Sequence, residues 1–220
     1  VNIGVDFAFL NNRFSGSLEV YQKNTSDLLG AYKVQVPPNL ARTTFANSGS
    51  IENKGIELFF QAFLVDKSNF TWKTGLTASH NKSEFTDLGR FATDESGIRH
   101  EGFISGRGMV GEEYWVTGVA VGHEVGAFYL PVYVTLLDGE FIYESLSGGY
   151  TSELGKAKRE WVGSANAKVE LGWTNNFTFF KNWSADLAFR SIIGNIVYYA
   201  NKIFFDFECI LLLLYGLFVF

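Results

Sequence analysis

The chain has 220 residues, 47% hydrophobic and 17% aromatic, with 22 Phe against 3 Pro and 1 Met, which excludes a disordered chain and leaves room for one large all-β domain or two small ones. A net charge of −5, with both signs spread along the sequence, provides no basic stripe for phosphates and argues against nucleic acid as a partner. The single cysteine, Cys209, rules out an internal disulfide and a cysteine-based structural zinc site.

The chain opens directly on alternation. In "VNIGVDFAFL", Val1, Ile3, Val5, Phe7 and Phe9 share one side of an extended segment, and Asn2, Gly4, Asp6 and Ala8 the other. No charged, apolar and small-residue leader precedes it, so the chain reads as a fragment that starts within a strand. "FSGSLEVYQK" sets Phe14, Leu18 and Val20 against Ser15, Ser17, Glu19, Tyr21 and Lys23. "GIELFFQAFLV" opposes Ile56, Leu58, Phe60, Ala62 and Leu64 to Glu57, Gln61 and two aromatics. "FTWKTGLTAS" sets Phe70, Trp72, Leu76 and Ala78 against Thr71, Lys73, Gly75 and Thr77. Further on, Val169, Leu171, Trp173, Phe177 and Phe179 oppose Lys168, Glu170, Thr174 and Thr178, and Trp183, Ala185, Leu187 and Phe189 oppose Ser184, Asp186 and Arg190. A period of two predicts strands; helical spacing fits none of these runs.

The connections come in two sizes. Residues 11–13, 66–69 and 181–182 are short and rich in Asn, Asp, Ser and Lys, the chemistry of tight hairpins. Residues 30–53 and 89–124 are long and carry Gly and Ser, longer than a compact domain usually holds without function. Aromatics crowd the short turns: Phe9 and Phe14, Phe63 with Phe70 and Trp72, Phe179 and Phe180 with Trp183. Short turns at one end, long loops at the other and aromatic girdles are the pattern of an antiparallel transmembrane β-barrel. The alternative with the same alternation is a secreted, carbohydrate-binding β-sandwich, whose oily faces meet in a dry interlayer.

The stretch "FANSGSIENKGIELFF" carries a family pattern. Asn47, Gly49, Asn53, Lys54, Gly55, Ile56, Glu57 and Leu58 resemble the N-x-G-x-x-x-N-K-G-I-E-L signature of SusC/RagA-type TonB-dependent outer-membrane transporters. "FTWKTGLTASHNKSEFTDLG", "VGHEVGAFYLPVYVTLLDGEFIY" and "REWVGSANAKVELGWTNNFTFFKNWSADLAFRSIIGN" resemble that family's later segments in the same order, over roughly residues 1–203. Ala167 stands where the family has Pro, and "GNIVYY" replaces a Gly-Asn-Asp sequence. The resemblance implies part of a barrel over residues 1–205 in the outer membrane of a Gram-negative bacterium. It also implies import of oligosaccharide or peptide cargo driven by the TonB complex, with a SusD-like surface lipoprotein as lid, lipid outside, and no catalysis or cofactor. Asp6, Glu19, Glu57, Lys73, Glu170, Asp186 and Arg190 are then expected on the wet inner side. Residues 206–220, "DFECILLLLYGLFVF", lose the alternation and are read as an anomalous apolar tail, too short and too charged for a membrane helix.

The remaining motifs carry little. Gly106, Gly108 and Gly111 match G-x-G-x-x-G, but the sequence that follows is β-branched and aromatic, so no helix is expected to open there. His80, His100 and His123 lack partners at metal-ligand spacing, and His123 beside Glu124 reads as a solvated loop pair. Glu112 and Glu113 are adjacent on a loop, which fixes no cleft for acid/base chemistry. Asn24, Asn69, Asn81, Asn176 and Asn182 head N-x-S/T triplets of a kind that Asn- and Thr-rich strands generate by chance. Tyr114 and Trp115 are the candidate ligand contacts, since loop aromatics can stack on a sugar face.

Overall fold

The computed structural model describes residues 1–90, 93–104, 114–180 and 182–199. The apolar tail at 206–220, Cys209, the glycines 106, 108 and 111, and Glu112 and Glu113 lie outside the described residues.

Strands β1 (Asn2–Phe9) and β2 (Phe14–Ser26) form the first hairpin, and β3 (Leu29–Lys33) pairs with β4 (Thr43–Asn47) in a small outlying ribbon. The long strands β5 (Ser50–Lys67) and β6 (Phe70–Asp87) follow. Strands β7 (Arg99–Phe103), β8 (Trp115–Val119), β9 (Ala127–Pro131), β10 (Tyr133–Leu137), β11 (Glu140–Glu144), β12 (Tyr150–Thr151) and β13 (Arg159–Ser164) build outlying sheets. The chain then returns through β14 (Val169–Phe179) and β15 (Trp183–Ile193).

Six strands make one antiparallel wall in the order β1-β2-β5-β6-β14-β15, while β13-β9-β8-β7 and β10-β11-β12 form two separate sheets. The wall's three hairpin turns all fall at one end: Leu10–Arg13, Ser68–Asn69 and residues 180–182. Leu10, Asn11 and Asn12 turn with positive φ, a conformation Asn tolerates better than most residues. The two long excursions, residues 27–49 and 88–168, leave from the opposite end. The predicted end-to-end asymmetry therefore holds.

One expectation changes. The segments read as long loops carry strands: the first holds the β3–β4 ribbon, and residues 89–124 hold β7 and β8, which join β9 and β13 in the four-stranded sheet. Asp138 and Gly139, which join β10 to β11, both have positive φ, the requirement of a type I′ hairpin. The outer sheets hang on the upper end of β6. Phe85 N–H donates to His123 O, Gly122 N–H to Phe85 O and Val125 N–H to Ser83 O. Beside these bonds Phe85, Leu88 and Val119 bury one another, with Leu28, Ile51 and Val125 packed around them.

Candidate functional site

Residues paired across an antiparallel ladder point to the same side, so the register assigns faces without ambiguity. One row reads Val5–Leu18–Leu58–Ala78–Leu171, and another reads Phe60–Leu76–Trp173–Phe189. The opposite face has Glu19–Glu57–Ser79–Glu170 in a single row, with Asp6–Ser17 and Lys73–Asn176–Asp186 in others. All seven residues expected on the wet side share this polar face.

The apolar face is uncovered. Val5 is 61% exposed, Val20 52%, Ile56 42%, Leu76 46%, Trp173 46% and Leu187 51%, values that no sandwich interlayer would leave. A continuous apolar surface of this kind marks an interaction face, not an ordinary water-facing one. Its height fits a bilayer. The row on β14 runs ten residue steps from Phe179 to Val169, about 33 Å along the strand at ~3.3 Å per residue. At a barrel tilt of ~40° this projects to ~25 Å, the apolar band of outer-membrane barrels. Beyond it the outward face turns polar, through Gln22–Lys54–Lys82 and Asn24–Glu52–Glu84. Lys54 pairs with Glu52 and Lys82 with Glu84 there.

Aromatic rings gather at the short-turn end of the apolar face. Phe14 stacks on Phe60, Trp72 and Phe70 stack on Phe177, and Phe70 lies tilted against Phe179. Phe63 is the exception to the expected girdle: it faces the polar side, opposite Lys73, whose ammonium lies 5.6 Å from its ring centroid. Sequence reading missed a polar pair within this apolar face. Thr74 and Asn175 sit opposite each other and are only 9% and 3% exposed. Trp72 Nε1 donates to Asn175 Oδ1 at 3.0 Å, and Trp173 Nε1 donates to Thr74 Oγ1 at 2.9 Å. Each indole thus roofs a polar residue and gives its own N–H a partner, as a dry setting requires. The signal was present as Trp followed two positions later by Thr or Asn on the same face.

The polar face carries a groove of about 580 Å³ lined by Ser17, Glu19, Glu57, Thr77, Glu170 and Arg190, among others. Arg190 Nη2 meets Glu170 Oε2 at 2.7 Å, and Asn176 Nδ2 donates to Asp186 Oδ1. The family-signature residues enter the wall here. Gly49 turns with φ +82° at the corner before β5, and Asn47 closes β4 opposite Leu29. Asn53 faces Lys23, Ile56 and Leu58 join the apolar face, and Glu57 lies between Glu19 and Ser79. Gly55 has a specific reason. The ring of Tyr21 lies across it to reach β6, where its hydroxyl donates to Asn81 Oδ1 at 3.2 Å, and a Cβ at 55 would land on that ring. Only glycine leaves the space.

The outer sheets hold the loop aromatics. Trp115 packs against Phe103 at 5.3 Å between centroids, and its carbonyl accepts a hydrogen bond from Arg159 Nη1 at 2.6 Å; Tyr114 and Trp115 are both half-buried. His123, expected to be solvated, instead stacks on Trp161 at 3.9 Å, and Trp161 lies 4.8 Å from Tyr129. Asp94 organises a turn: its Oδ1 accepts from the amides of Ser96 and Ile98, and its Oδ2 meets His100 Nε2 at 3.0 Å. Partial burial raises the Asp94 pKa, but the hydrogen bonds from Ile98, His100 and Ser96 outweigh it and hold the carboxyl below its usual range. The Lys158 ammonium is held above its usual value by hydrogen bonds to Glu160 and Glu144. Among the described residues no group of three or more His, Cys, Asp or Glu gathers as a metal site.

These features define an antiparallel β wall with a lipid-compatible side and a wet side. The comparisons agree. No family model matches the chain. It is 28% identical over 204 residues to the TonB-dependent receptor SusC of Bacteroides thetaiotaomicron, which covers 90% of this chain and 19% of the relative. It is 26% identical over 211 residues to the TonB-dependent receptor P3 of Formosa agariphila, covering 88% of this chain and 20% of the relative. The solved RagAB peptide importer in its open-open state superposes with a TM-score of 0.68 at 17% identity, covering 90% of this chain and 20% of that one. The resemblance to SusC/RagA-type TonB-dependent transporters therefore stands, and the chain spans about a fifth of the length of these relatives.

Proposed function

We propose that residues 1–205 form part of the wall and outer loops of a TonB-dependent transporter in the outer membrane of a Gram-negative bacterium, and that residues 206–220 take no part in transport. The wall is an incomplete barrel, with the apolar face against acyl chains and the polar face lining the lumen. The protein imports oligosaccharide or peptide nutrients, powered through the TonB complex and lidded by a SusD-like surface lipoprotein, and performs no covalent chemistry. Tyr114 and Trp115 stand on the outer sheets, where arriving cargo first meets the protein.

The observation that carries this reading is the uncovered apolar face backed by a charged one, with every long excursion at one end. It disfavours the β-sandwich, whose apolar stripes would be buried. Single cysteines on β5 test the orientation in the full-length protein in intact outer membranes. Glu57→Cys should react with a water-soluble maleimide and Leu58→Cys should not; equal labelling, or recovery of the protein only in the soluble supernatant, overturns it.

A further inference from the structure

We propose that Lys54 and Lys82, side by side on the outward face just above the apolar band, bind the phosphate of a lipid headgroup in the outer leaflet. The proposal rests on the membrane orientation given above. The row Ile56–His80–Val169 is the last of the apolar band, and Lys54 and Lys82 each lie two residues beyond it on the same face. Two steps of ~3.3 Å at a tilt of ~40° rise ~5 Å. The headgroup layer adds ~5–7 Å to each side of the hydrocarbon core, so this row stands within it. The long excursions leave from this end of the wall, which makes it the outer one.

The charges there are placed in an unusual order. Lys54 sits directly opposite Lys82 across the β5–β6 ladder, and one row further out Glu52 sits directly opposite Glu84. Like charges facing each other across a ladder are unfavourable, and reversing the order on one strand would have set each lysine opposite a glutamate. Instead both cations share the row nearest the lipid, and each is held by the carboxylate of its own strand, Lys54 by Glu52 and Lys82 by Glu84. Gln22 Nε2 donates to Glu52 as well, which occupies that carboxylate further. The lysine side chains are 54% and 49% exposed, whereas those of Glu52 and Glu84 are only 14% and 23% exposed. The surface offered to a headgroup is therefore cationic, with the anions tucked behind it. An ammonium has three donors, so each lysine keeps N–H groups beyond the one given to its glutamate. A phosphate between the two ammoniums accepts from both and relieves their repulsion, and the acyl chains below it continue onto the apolar face.

The two glutamates make the test clean, because the same ion pairs can be broken from either side. Native mass spectrometry of the full-length protein, released from vesicles of equimolar phosphatidic acid and phosphatidylcholine, counts the lipids it retains. The wild type should retain phosphatidic acid in preference. Lys54→Gln combined with Lys82→Gln should lower that occupancy by about fivefold or more, the scale expected for lysines at an anionic surface. Glu52→Gln combined with Glu84→Gln breaks the same pairs yet should keep or raise the occupancy, and Lys54→Arg with Lys82→Arg should keep it. Absence of a preference for phosphatidic acid, or equal loss in the lysine and glutamate variants, overturns the proposal. Retention of added inorganic phosphate with no phosphatidic acid overturns it too. Leu58→Cys separates this site from the orientation it rests on: where that cysteine stays shielded from maleimide in the vesicles, a failure falls on the lysine pair alone. A Leu58→Cys open to maleimide overturns the orientation, and this site with it.

Discussion

Replacing Leu76 by Arg places a charge near the middle of the apolar band. On β14 its partner Trp173 lies six of the ten steps from Phe179 to Val169, and Phe60 and Trp173 flank Leu76 on either side. Arg at the midplane of a barrel's lipid face costs ~2–4 kcal/mol, which is roughly a 30- to 700-fold loss in the folding equilibrium. Ser79→Arg is the matched control on the same strand. Its side chain faces Glu57 and Glu170, so an added cation meets two carboxylates and the change should stay within ~1 kcal/mol. Urea titration of the full-length protein in phosphatidylcholine vesicles, followed by tryptophan fluorescence, reads both. The reasoning fails if Leu76→Arg costs no more than Ser79→Arg, because a 46% exposed leucine facing water would accept arginine with little penalty.

Gly55→Val should push the Tyr21 ring off Asn81 and destabilise the β2–β5–β6 junction by ~1–3 kcal/mol; Tyr21→Ala in the same background should recover part of that loss in the vesicle titration. Asn175→Leu leaves the Trp72 indole N–H without its acceptor beneath the aromatic layer, at a cost of ~1–3 kcal/mol by the same titration. Asp94, with its pKa lowered in the folded protein, stabilises its turn fully above the ordinary carboxylate range and loses that contribution as pH falls through its lower folded value. Hydrogen exchange at the Ser96 and Ile98 amides should accelerate in acid for the wild type and show no such dependence in Asp94→Asn. Phe85→Ala removes the centre of the small core that holds the outer sheets on β6, a loss of ~3–5 kcal/mol, and should expose residues 93–104 to limited proteolysis while the wall stays protected.

Much of the wall was legible because its physics is local. Alternation alone assigned Val5, Leu18, Leu58, Leu76, Leu171 and Leu187 to one side, and the ladder puts them there. The Asn-rich turn at 11–13 announced a reversal, and Asn11 and Asn12 take the positive φ that it needs. What escaped depends on partners distant in the chain. Gly55 is explained by a ring contributed by Tyr21, and Thr74 by an indole contributed by Trp173. Strands β3, β4, β7 and β8 fell in segments read as loops because each is five residues long, too short for alternation to show. The Asp94–His100 contact leaves no motif, since both residues lie in a segment whose strand is too short to announce itself.

The β6–β14 seam joins neighbours in space that residues 88–168 separate along the chain. Every other seam beside it in the wall closes over a much shorter span, and the three hairpins β1–β2, β5–β6 and β14–β15 close over only a few residues. Entropy of closure grows with the logarithm of the intervening length, so the expected assembly order is hairpins first and this seam last. Until it zips, β6 and β14 each present a bare backbone edge, and the folded insert that hangs from β6 shortens the effective gap the chain must bridge. The small outer core is therefore also a folding device, bringing the two halves of the wall within reach of one another.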